Sequence, residues 1–147
     1  MRPLLESAGR PARSPTFDAA RRRRVGRALL AVSAMVALLA AVCALVALPG
    51  AAKETVLIDA WRAFGLVVFG GLFALVARDP TGYPGVLELA IAHKLALTTA
   101  ASIWRDAPDA VLVIAADGAL TAVLLVAYVV LRADRAWRLV ARREPRT

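Results

Sequence analysis

Asparagine and glutamine are absent from the 147 residues, cysteine and histidine occur once each, and lysine occurs twice against seventeen arginines. Each scarcity removes a class of chemistry. A lone Cys43 allows no intramolecular disulfide, no thiolate metal site and no haem attachment. Set inside an apolar run, it reads as a small, lipid-compatible core residue. A single His93 without a second candidate ligand gives no histidine metal motif, so no metal is expected. No serine sits in a nucleophile elbow and no glycine-rich loop is spaced as a phosphate cradle, so we expect neither cofactor nor enzymatic activity. The missing amides, the preference for arginine and the abundance of Ala, Val, Leu and Gly point to a GC-rich bacterial genome of actinobacterial type.

What the chain has in excess is apolar length. Hydrophobic residues make up 60% of it, too many for a soluble domain of this size. We read it as all-α and polytopic, an antiparallel bundle of four transmembrane helices at about 28–48, 57–77, 85–104 and 110–131. The first span is uncharged and of the length a bilayer core requires. It exceeds the apolar run of a cleaved signal and reads as an uncleaved anchor. Pro49 and Gly50 end it, and TGYP and DAP, each with a proline, separate the later spans. Short connections make sequential helices neighbours. Residues 28–131 thus form the membrane domain, flanked by a basic, disordered tail over 1–27 and a second basic tail over 132–147.

The net charge of +8 argues for topology before ligand. Eight arginines precede Ala28 and six follow Leu131, so both tails are expected on the cytoplasmic side of a bacterial inner membrane. Arg21, Arg22, Arg23, Arg24, Arg27, Arg132, Arg135 and Arg138 are candidate contacts to anionic lipid headgroups, each contributing about 1 kcal/mol near the surface. Without interleaved aromatics or a recognisable nucleic-acid fold, no nucleic-acid partner is expected. In this orientation Trp61 and Trp104 fall at the outer interface, and Tyr83 and Trp137 at the inner one. Small residues at four-residue spacing, Ser33/Ala37/Ala41, Gly70/Ala74 and Gly118/Ala122, mark helix contacts.

The third span, ELAIAHKLALTTAAS, carries charge where it is most expensive. A central lysine costs about 2.5–3.5 kcal/mol on insertion scales, and Glu88 and His93 add to that. An interfacial helix is the rival reading, but its polar residues do not form one clean face: Leu87, Ile91 and Leu95 interrupt the polar arc and His93 lies outside it. The fourth span holds Asp117, with Thr121 and Tyr128 on the same helical face. Folding these two spans about DAP puts Asp117 about one turn above Lys94, within reach of its flexible stem. We expect a Lys94–Asp117 pair with Thr98 and Thr121 as supporting hydroxyls, although hydroxyls in such helices commonly bond their own backbone. His93 is expected to face the second helix, Glu88 to meet Arg78 or Arg132, and Asp59 to pair with Arg62. A register-fixing role is the first expectation for the pair and proton or ligand handling the second.

The stretches DAWRAFG, ELAIAHK and DGALT, with the four-helix spacing, resemble small four-helix bacterial membrane families of the DoxX-like kind. The resemblance implies the fold and the membrane location over the four spans and assigns no catalytic residue. Two functions follow as expectations. One is a non-enzymatic inner-membrane protein whose polar centre, Lys94, Asp117, His93, Thr98, Thr121 and Glu88, serves helix or partner assembly or holds a small molecule. Its partners are a second copy or another membrane protein. The alternative is a proton-coupled carrier or subunit with Glu88, His93, Lys94 and Asp117 as relay.

Overall fold

A computed structural model of the chain describes residues 15–135 and 137. These residues are helical apart from short connections: α1 (Pro15–Ala47), α2 (Val56–Arg78), α3 (Val86–Ile103) and α4 (Ala110–Leu131), with a single 3-10 turn, Leu48–Gly50, after α1. Each of the four is long and apolar enough to cross a membrane. Large apolar side chains such as Met35, Leu39, Leu57, Leu89, Val111 and Val129 stand on the outside. Exposure on that scale suits lipid rather than water.

The expected disordered tail over 1–27 is corrected in part, because α1 starts at Pro15 and runs unbroken through the arginine cluster. Proline is well placed there, since the first helical N–H has no intrahelical acceptor in any case. At 33 residues the helix is about 50 Å long, some 20 Å more than a hydrocarbon core. Residues 1–14, 136 and 138–147, among them Arg138 and the rest of both tails, lie outside the described residues.

Each connection has a local cause. Asp79 precedes Pro80 and adopts extended angles, as the proline ring demands of its predecessor. Its carboxylate accepts the Thr81 N–H at 3.2 Å, the Thr81 hydroxyl at 3.1 Å and the Gly82 N–H at 3.1 Å. These bonds, with the Thr81 N–H foremost, hold its pKa below the ordinary 3.8. Before α3, Gly85 takes φ 88°, and a side chain there would also press on the Trp137 ring. Asp109 and Arg132 bracket α4 in the same left-handed region, at φ 63° and 53°. Arg132 gives its N–H to the carbonyls of Tyr128 and Val129, closing the helix end that would otherwise be unsatisfied.

Helix α1 packs on α2 and α4, and α3 packs on α4, whereas α2 meets α3 less closely, through side chains such as Phe69. The buried side of α1 is Leu30, Ser33, Ala34, Ala37 and Ala41, a stripe with helical three- and four-residue spacing. Opposite it Gly70 lies so close that a methyl group would stand 2.7 Å from the Leu38 side chain and 3.4 Å from the Ala34 carbonyl. At Gly118, by contrast, a methyl would meet the Thr98 methyl at 3.5 Å, an ordinary contact. Ala74 and Ala122 are exposed, so in those two pairs only the glycine lies in a contact. Leu30, Phe73 and Leu124 are the largest fully buried side chains, and their cluster, with Val76, Leu87 and Ala133, occupies the end of the molecule near Arg27, Arg78 and Arg132. Toward the other end, small residues such as Ala41, Ala63 and Ala110 are buried.

Candidate functional site: a polar centre between α3 and α4

Lys94 lies on the side of α3 that packs on α4 and is 6% exposed. Its Nζ donates to Asp117 Oδ1 at 2.7 Å, and the two side chains are 8% and 15% exposed. Two charges removed from water at this depth each carry a desolvation cost of several kcal/mol, offset only by close contact and further favourable neighbours. One such neighbour is Phe69 of α2, whose ring centroid is 4.8 Å from the ammonium. The negative face of the ring attracts the cation. The His93 ring lies 4.6 Å from the same phenyl ring, tilted by 42°, so Phe69 joins Lys94 and His93. His93 itself is exposed on the outside of α3.

Thr98 and Thr121 do not support the charged groups with their hydroxyl hydrogens. Thr98 Oγ1 donates to the Lys94 carbonyl at 2.9 Å and Thr121 Oγ1 to the Asp117 carbonyl at 2.7 Å. Thr99 and Ser102 likewise bond the carbonyls of Leu95 and Thr98. A carbonyl four residues back is the nearest acceptor for a helical hydroxyl. Among the described residues no buried side-chain nitrogen or oxygen lacks a hydrogen-bond partner.

Glu88 stands apart from the pair. Six residues before Lys94, it is about 9 Å away along the helix, with buried Ala90 between them. It accepts the Trp137 indole N–H at 3.0 Å instead of meeting Arg78 or Arg132. Asp59 is not the partner of Arg62 either. Arg62 reaches Asp109 across the bundle at 3.4 Å, a contact that the left-handed turn at Asp109 presents to it. Of the candidate headgroup residues, Arg21, Arg23 and Arg24 are exposed on α1, and Arg22 Nε donates to the Asp18 carbonyl at 3.4 Å. Arg132 and Arg135 are exposed after α4. Arg27 differs: its Nε donates to the Ala77 carbonyl at 2.7 Å, tying α1 to the last turn of α2.

Phe69 is thus a site residue that the sequence reading missed, and Arg27, read there as a headgroup contact, anchors α1 to α2. Counting outward from the TGYP connection places Phe69 within about one turn of Lys94, so the signal for the first was present. Nothing in the local sequence separates Arg27 from the other arginines. Among the described residues, no three His, Cys, Asp or Glu side chains come together as a metal site. Compared with known proteins, the chain matches no family model, no curated protein and no solved structure.

Proposed function

We propose that the chain is a non-enzymatic, multi-pass protein of a bacterial inner membrane, an antiparallel four-helix bundle with both termini in the cytoplasm. In this reading the Lys94–Asp117 pair fixes α3 against α4 and prepares the bundle for assembly with a membrane partner. The observation that carries it is the pair itself, short, nearly buried and completed by the Phe69 ring. Arg78 and the clustered arginines at both ends of the chain support the orientation.

Membrane accumulation tests the reading. Lys94→Met or Asp117→Leu alone strands one buried charge and is expected to destabilise the bundle by about 1–3 kcal/mol, whereas the double variant restores accumulation. Normal accumulation of both single variants overturns it.

A second reading, a proton-coupled carrier or subunit with Glu88, His93, Lys94 and Asp117 as relay, draws on the nearly buried Lys94–Asp117 pair, although Phe69 stands between His93 and Lys94 and a phenyl ring passes no proton. The use of lysine here, in a chain with arginine at seventeen of nineteen basic positions, also supports it, since lysine, unlike arginine, is a residue type that can exchange its proton. Under that reading the double variant accumulates but loses the cellular phenotype, and His93→Phe weakens that phenotype too.

A further inference from the structure

Helix α3 is the least apolar of the four spans, yet it buries the smallest share of its membrane window inside the chain, 17% against 22–28% for the others. The isolated chain thus leaves this least apolar helix with a broad outward side, on which His93 and Thr99 are exposed. The exposed side of α3 is ordered in a specific way. Leu89, His93, Ala96, Ala100 and Ile103 follow one another at spacings of four and three, the a/d repeat of a helix-pairing seam. Leu89 and Ile103 are 72% and 67% exposed, His93 and Ala96 are exposed and Ala100 is half-buried. A shallow groove over the C-terminal half of α3, from Ala92 to Trp104, takes in Ala96, Ala100 and Ile103 of this side.

His93 is the feature that selects the occupant. It lies near the middle of the 18-residue helix. Phe69 touches its ring, and among the described residues no hydrogen-bond partner reaches either ring nitrogen. A neutral imidazole carries one donor and one acceptor, so it is complementary to another imidazole. Two copies inserted in the same sense and related by a two-fold axis place each seam position opposite its own copy. Small Ala96 and Ala100 let the backbones approach, and an interhelical hydrogen bond between polar side chains holds the register.

We infer that α3 is a homodimerisation helix, with a second copy of this chain seated on the Leu89–His93–Ala96–Ala100–Ile103 seam and the two His93 side chains hydrogen-bonded to each other. The inference rests on the assembly reading above and names its partner.

Oxidative crosslinking of the full-length protein in native membranes tests it. In a Cys43→Ala background, A96C and A100C are expected to give a disulfide-linked dimer, and V126C, on the exposed side of α4, is expected to give none. In the A96C protein, His93→Phe is expected to lower the crosslinked fraction about three- to tenfold, while His93→Asn, which keeps a donor and an acceptor, retains most of it. Crosslinking of A96C and A100C no greater than that of V126C, in protein that accumulates normally, overturns the inference. So does a crosslink from α3 solely to a different polypeptide, or a dimer indifferent to His93→Phe. Failure of the assembly reading shows separately, as normal accumulation of the single Lys94 and Asp117 variants.

Discussion

At the scale of single residues, the polar centre is three contacts sharing two side chains. Lys94 is held by Asp117 on one side and by the Phe69 ring on another, and the same ring carries His93. Replacing Phe69 by Leu keeps the apolar cover and removes the ring electrons. A loss of about 0.5–2 kcal/mol is expected, measurable as a lower midpoint in detergent unfolding, and it should shrink when Lys94 is already Met. The juxtaposition of Lys94 and Asp117 is legible in the sequence because helical rise and one short turn set the height of each residue. Pairings that depend on how helices rotate and lean are not. Arg62 passes over Asp59, three residues away on its own helix, to reach Asp109, and Glu88 takes an indole rather than a guanidinium.

At the scale of elements, the contact of α1 with α2 turns on Gly70. A Gly70→Ala methyl meets the Leu38 side chain and is expected to cost about 1–3 kcal/mol as overpacking. Leu38→Ala in the same chain makes room and recovers much of the loss, so thermal unfolding of the two single variants and the double variant checks the contact. Arg132 holds a left-handed conformation at the end of α4, which costs a non-glycine residue about 1–2 kcal/mol. Arg132→Gly is therefore expected to raise the unfolding midpoint unless its charge anchors the helix end, an effect high salt would screen. The Asp79 turn gives a pH dependence of definite sign. Because its folded pKa lies below 3.8, its contribution is complete above that value and disappears as pH falls through the lower, folded one. The difference in unfolding midpoint between wild type and Asp79→Ala should close only in strong acid. Span boundaries are legible from proline, glycine and apolar length. The start of α1 is not, since an arginine run supports a helix as readily as a flexible tail: arginine has high helix propensity.

At the scale of the whole molecule, four apolar runs and their punctuation suffice to read the number of membrane-length helices, while neighbour relations beyond the sequential hairpins require the structure. The packing of α1 on α4 and on α2 depends on side-chain volumes, here Gly26 accommodating Leu131 and Gly70 accommodating Leu38, which hydropathy does not record. For the proposed orientation, a reporter active only outside the cytoplasm should stay silent when fused after Thr147 and become active when fused in the connection between α3 and α4. The ion pair also bears on biogenesis. During synthesis α3 emerges with Lys94 before the segment bearing Asp117 has been made, so the countercharge arrives late. On the proposed membrane reading the two helices are expected to enter the bilayer as one event, and a chain cut in the DAP connection should leave α3 waiting at the membrane surface, open to proteases until a fourth helix is supplied.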